Sequence, residues 1–477
     1  MDDSAKPAKK ITGWTLAFMA FSTVWGFGNV CNGFNYFDGA HVIFSWVLMF
    51  ALYFVPYALM VGELGSTFKN AEGGVSSWVN ATMGPKLAYY AGWTYWACHV
   101  TYIAGKGTGG LRALSWALFG NTTALDHANT MIVQLITLLI FIFFCWLAAQ
   151  GITALKVLTT VAGAATFILS LLYIVMMFAA PAINHTANFY TISWNIKSFM
   201  PNFNVKYFTS LSILVFAVGG CEKISPYVNQ MKKPSRDFPK GMIVLAVMVM
   251  VCAILGTIAM ARMFDPREVA KHFDAYVSNA DYWSFQKLGG YYHMGNFFLI
   301  IYAWSNVIGQ LAVLLLSIDA PLRILLGSKE ASEFIPKGLL KKNKHRAYIN
   351  GIKMVGILSG SLILIQSVVP GATKVMSQLI KLNSIAMPMR YLWVFAAYIA
   401  LRRQINKYHA EYHFVNNNAV AKFFGYWCFI ITAACCLLGV YDPDPFTMVL
   451  NIATPIILVI LGMILPAIRK RQTEKVA

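Results

Sequence analysis

The sequence predicts an all-α integral membrane protein of about twelve transmembrane helices, and three features predict it. The 477-residue chain is 58% hydrophobic and 12% charged, which leaves more apolar surface than a water-soluble domain can bury. Uncharged apolar runs of about 20 residues, enough to cross a hydrocarbon core, recur along the chain, as at 131–150 and 241–260. Two of the runs, the first and the sixth, are interrupted by glycine where a continuous helix would otherwise stand, at Gly26, Phe27 and Gly28 and again at Gly219 and Gly220.

The expected spans are 13–35, 41–66, 87–111, 131–150, 153–180, 206–230, 240–262, 293–321, 349–368, 374–401, 420–440 and 446–467, flanked by polar tails at 1–12 and 468–477. Charge alternates between the connecting loops. Lys6, Lys9, Lys10, Lys69, Lys86, Lys156, Lys232, Lys233, Arg236, Lys240, the cluster 337–346, Arg402, Arg403, Lys407 and Arg469 to Arg471 fall on one side. Asp126, Asp265, Glu268, Asp281, Asp442 and Asp444 fall on the other. The positive-inside rule then puts both termini in the cytoplasm. The net charge of +19 does not point to nucleic acid, because no soluble domain with a basic face accompanies it. The polar N-terminus leads into a full-length span without a small-residue cleavage site, so a removed signal peptide is not expected.

Glycine breaks in matching positions of two halves are the sequence mark of an inverted-repeat transporter with a mid-membrane binding site. The competing reading, close helix packing, suits a single break better than a matched pair. The expected organisation is therefore one repeat over 13–180 (helices one to five), a second over 206–401 (six to ten), and two further helices over 420–467. A broken helix offers freed N–H groups to a carboxylate and freed carbonyls to an ammonium, the two groups every α-amino acid carries. Gly26 and Gly28 also let a ligand approach the backbone. The eight cysteines show no redox or metal-ligand spacing, so neither a metal nor a cofactor is expected. No paired-acid motif, zinc motif or nucleophile elbow supports an enzyme.

The sixth span and the loop after it, 216–242, read FAVGGCEKISPYVNQMKKPSRDFPKGM. This resembles the amino acid, polyamine and organocation transporter superfamily, whose pattern there is an aromatic, a glycine, a glutamate and a basic, proline-containing loop. Phe216, Gly220, Glu222, Lys233, Pro234, Arg236 and Pro239 carry the likeness. The segments 62–79 (GELGSTFKNAEGGVSSWV) and 84–96 (GPKLAYYAGWTYW) are also similar, and Trp304 precedes Gly309 and Gln310 at the superfamily's spacing. The run 222–231 resembles most the glutamate/GABA antiporter branch. The resemblance implies a LeuT-like fold of two inverted five-helix repeats in a bacterial inner membrane, and a secondary carrier of amino acids or related amines working by alternating access.

The same resemblance implies roles for particular residues. Phe216 and Trp304 are implied as aromatic caps on the substrate, with packing the plainer reading of both, and Tyr95 is implied as a third-span contact. His99 follows Tyr95 by one helical turn and is a mid-membrane candidate for substrate or proton contact, whereas Lys106 is expected near the interface, snorkelling to water. Glu222 is implied in coupling, and Glu63 and Asp319 in ion pairs with nearby Lys or Arg. Phe27 replaces a small polar residue and is expected to reshape the pocket. The centres of the first, third and eighth spans carry no carboxylate, which disfavours a doubly cationic substrate and leaves neutral or acidic amino acids. Proton-coupled relatives hold a fifth-span lysine that is missing here, since 161–170 reads VAGAATFILS. This favours exchange over proton symport, with coupling through His99 or Glu222 left open.

Overall fold

In a computed structural model of the chain, residues 11–184, 193–369 and 371–474 are described, so Lys6, Lys9, Lys10 and the last three residues of the C-terminal tail lie outside the described part. Helices are the regular secondary structure of the described residues, which contain no strand and only isolated bridges such as Ile11 to Met231. In chain order the main helices are α1 (Gly13–Val24), α2 (Phe27–Tyr36), α3 (Gly39–Thr67), α4 (Val75–Met83), α5 (Pro85–Phe119), α6 (Thr130–Ala149) and α7 (Ile152–Ile183). They continue as α8 (Val205–Val218), α9 (Pro234–Ala261), α10 (Phe273–Tyr291), α11 (Phe297–Leu326), α12 (Ile349–Val368), α13 (Asn383–Arg403), α14 (Asn418–Gly439) and α15 (Pro445–Glu474).

Nine of these helices, and the longer stretch Val205–Gln230 that contains α8, are long and apolar enough to cross a membrane. The sequence expectation was about twelve, and the two spans that escape this criterion have physical reasons. The first, 13–35, is divided into α1 and α2, of 12 and 10 residues, each too short alone. The third lies within α5, which at 35 residues is about 52 Å long but interleaves Lys106, Arg112, glycines and tyrosines with its apolar residues.

The glycine positions read from the sequence coincide with the helix interruptions. α1 starts on Thr12, whose hydroxyl accepts from the Thr15 N–H, and it ends at Val24; Trp25 and Gly26 are extended before α2 begins. α8 starts on Asn204, which accepts from the Tyr207 N–H, and it ends at Val218. Gly219 is extended and Gly220 has φ +104°, a left-handed conformation in which a side chain would be strained. A 3-10 helix, Cys221–Gln230, follows. Asn29 ties the two interruptions together: its carboxamide donates to the carbonyls of Val24 and Ala217, each at 3.2 Å.

Packing then fixes the scaffold. α5 runs along α11, and α7 along α1, where a Cβ on Gly163 would sit 2.0 Å from the Phe18 carbonyl oxygen, so only glycine permits that approach. Where α3 finishes, charged groups lock the helices. Glu63 is fully buried and accepts from Arg402 at 2.6 Å, from Tyr398 at 3.1 Å and from the Phe414 N–H at 2.9 Å. Nearby, burial acts to raise the Glu72 carboxyl, but its hydrogen bond and charge pairing with Lys342, at 2.6 Å, hold it below the usual carboxylate range.

Candidate functional site

The sequence-expected residues Tyr95, His99 and Glu222 come together inside the bundle. Glu222, just past the α8 interruption and fully buried, accepts hydrogen bonds from the hydroxyls of Tyr57 and Tyr95, the latter at 3.0 Å. The guanidinium of Arg390 lies 3.8 Å from the same carboxylate and above the rings of Tyr95 and Tyr391, at 4.8 and 5.4 Å. His99 bonds through Nδ1 to the Tyr95 carbonyl oxygen at 2.6 Å, and its Nε2 lies 3.2 Å from the Arg390 guanidinium. A ring that donates on one side and accepts on the other links α5 to α13.

Next to Glu222 stands a second cation, Lys223, only 4% exposed. Its ammonium donates to the Ser317 hydroxyl on α11 at 2.8 Å and lies 5.7 Å from the centre of the Tyr102 ring. Lys106 approaches that same ring at 4.5 Å and Gln310 at 3.4 Å. Lys106, expected near the interface, is half-buried, with the Tyr102 ring and the Gln310 carbonyl oxygen as its partners. Phe216 packs against the cluster of Cys98, Ala386 and Met387, as does Tyr102, so it adjoins this group.

The other expected positions divide. A Cβ at Gly26 or Gly28 would meet no atom within 4 Å, so both face open space, as does Gly309. Gly219 does not: its Cβ would fall 2.1 Å from the Tyr391 ring, and that close packing is what the glycine serves. Gly220, by contrast, is required by its backbone. Phe27 does not line the space its neighbours face. It turns into an aromatic cluster with Tyr173, Phe285 and Tyr302, at ring separations of 4.8 to 5.9 Å, because those rings bury its surface. Trp304 is not part of that aromatic cluster. It lies about 200° around α11 from Tyr302 and is 43% exposed in an apolar stripe with Phe297, Ile300 and Ile301.

Asp281, on α10 between two spans, accepts from the Tyr302 hydroxyl at 2.7 Å, and burial pushes its carboxyl up to about 6. Asp319 is held by Arg323 and Tyr227 at 2.6 and 2.7 Å, as Glu63 is by Arg402, so both expected acids do sit in ion pairs with nearby arginines. A separate cavity of ≈ 770 Å³ between α8, α14 and α15, reached by Lys206, Ser212 and Asn451, contains none of the cluster residues.

Sequence reasoning missed Lys223, Arg390, Tyr57 and Asn29. The first two carried a usable signal, a full charge inside an apolar span, which marks function by default. Tyr57 and Asn29 carried none, because their roles depend on partners 165 and 188 residues away.

A bundle of membrane-crossing helices, two of them interrupted side by side around buried charges, defines a multi-pass membrane transporter. The chain belongs to the amino acid permease family, whose model matches residues 11–466, and so to the amino acid, polyamine and organocation superfamily. It is 46% identical to an aspartate/glutamate permease of Lactococcus lactis, AcaP, over 98% of this chain and 97% of that protein. It is 23% identical to a glutamate/gamma-aminobutyrate antiporter of Lactococcus lactis over 67% of this chain and 61% of the relative. It is also 26% identical to the inner membrane transporter YjeM of Escherichia coli over about half of each, 50% and 49%.

Proposed function

We propose that this transporter carries acidic α-amino acids, aspartate or glutamate, by alternating access. The observation that carries the reading is the charge balance of the interior cluster. Arg390 lies 3.8 Å from the buried carboxylate of Glu222, which two tyrosine hydroxyls also hold, while Lys223 and Lys106 stand over the Tyr102 ring with no carboxylate within salt-bridge distance among the described residues. A cluster with surplus cations suits a ligand with two carboxylates and one ammonium, and opposes a cationic one. The aspartate/glutamate permease at 46% identity points the same way.

In this reading the start of α2 takes the α-carboxylate, since Gly26 and Gly28 face open space where helix N–H groups begin. Phe216 caps the ligand, and His99 positions Arg390. Residues 13–180 and 206–401 form the two inverted repeats, with both termini cytoplasmic on the side of the basic loops. Transport is by exchange: an empty carrier must turn over with uncompensated buried cations, whereas an anionic substrate neutralises them on each passage. In proteoliposomes, saturable uptake of labelled aspartate or glutamate into vesicles preloaded with unlabelled substrate is the expected result. Uptake of neutral or cationic amino acids alone would remove the acidic-substrate reading. Rapid uptake of aspartate into empty vesicles under an imposed pH gradient would replace exchange with proton symport.

A further inference from the structure

We propose that Lys223 is the specificity residue of this carrier, pairing with the substrate's side-chain carboxylate, with Lys106 as a second cation across the Tyr102 ring. This rests on the acidic-substrate reading above and adds which residue distinguishes an acid from its amide. Lys223 is buried, yet among the described residues no carboxylate lies within salt-bridge distance of it. Its described hydrogen bond is to one neutral hydroxyl, Ser317, although an ammonium carries three donors. Glu222, its chain neighbour, directs its oxygens instead to Tyr57, Tyr95 and Arg390.

Isolated ammonium groups are expensive to bury, and two of them over one ring repel one another. The negative face of Tyr102 offsets part of this cost. A carboxylate bound beside the ring would offset much more. A further buried donor beside Glu222, Arg390 Nε, lacks a hydrogen-bond partner among the described residues and lies 3.8 Å from that carboxylate. A dicarboxylic ligand supplies what is lacking. Lys223, Tyr102 and Ser317 also come from three elements, the segment after α8, α5 and α11, so the subsite is assembled only in the folded carrier.

The test compares aspartate with asparagine, which differ by a carboxylate against an amide of nearly the same size. Competition against labelled substrate and ligand-induced thermal shift are measured on the purified full-length transporter. Wild type should prefer aspartate. In Lys223→Gln that preference should fall by at least about 10-fold, the equivalent of 1.4 kcal/mol, with asparagine affinity retained. Lys223→Arg should keep most of it. The ligand-free melting temperature of Lys223→Gln should not drop, since an unpaired buried charge has been removed; a residue with a purely structural role would lower it. Lys106→Gln, at a less buried position, is the second variant and should reduce the preference by a smaller factor. An unchanged aspartate-to-asparagine ratio in Lys223→Gln, or in Lys106→Gln should the first variant not fold, overturns the assignment while leaving the acidic-substrate reading intact. A wild-type carrier indifferent to aspartate would instead defeat that reading before any variant is consulted.

Discussion

Placing a methyl group at Gly28 separates a binding role for the α2 start from a packing role. The Cβ of Gly28→Ala would meet no atom within 4 Å, so the folded protein accepts it without displacement. Alanine is also the better helix former, by about 0.8–1.0 kcal/mol in a helix interior and less at a first turn. The ligand-free protein should therefore melt at the wild-type temperature or slightly above. A carboxylate seated on the first N–H groups of α2, however, would be pushed away from its donors. Losing one charge-assisted hydrogen bond costs about 1.5–3 kcal/mol, which is roughly a 10- to 100-fold loss of affinity. Gly219→Ala is the counterpart: its Cβ would lie 2.1 Å from the Tyr391 ring, and forcing the ring aside costs typically 1–3 kcal/mol of stability. The assay is thermal melting of each purified variant with and without aspartate, together with competition uptake. Wild-type aspartate affinity in Gly28→Ala would refute the reasoning, because the open space at Gly28 would then not be ligand space.

Two other predictions address stability. Glu63→Ala strands the buried Arg402 guanidinium, and breaking a buried pair in this way costs about 3–5 kcal/mol. The double variant Glu63→Met with Arg402→Leu should recover most of that loss in detergent melting, and purely additive effects would argue against a coupled pair. Because burial pushes the Asp281 carboxyl up to about 6, above its unfolded value of about 3.9, the folded state holds the extra proton. Asp281 should therefore destabilise the protein at neutral pH, and the protein should gain stability as pH falls through about 6. Asp281→Asn should be the more stable variant at pH 7, with the difference vanishing near pH 4; a difference independent of pH would remove Asp281 as its source.

Some of this was determined by the sequence alone. Membrane insertion follows from the recurrence of apolar runs, since runs of that length have one stable solvent. The two interruptions were legible at Gly26 and Gly219–Gly220 because helix continuity is a local property, and glycine there removes the reason for the helix to continue. Tyr95 and His99 could be placed on one helix face by their spacing, and Glu222 could be singled out by the family resemblance, but that the three meet could not be read from either. Tertiary structure alone decided what each side chain meets. Phe27 sits between two glycines that face open space, yet it turns the other way, because Tyr173, Phe285 and Tyr302, contributed by three other helices, offer it an apolar bed. Lys106 is placed near the interface by depth on its own helix, whereas its partners, the Tyr102 ring and Gln310, are set only by folding. Trp304 has the right spacing to Gly309 and Gln310, but its azimuth on α11 depends on which face α5 covers. The charge surplus around Lys223 belongs to the same class. Charge is written in the sequence one residue at a time, whereas compensation is a distance between residues such as Arg390 and Glu222, 3.8 Å apart in space and 168 positions apart in the chain, and only folding sets it.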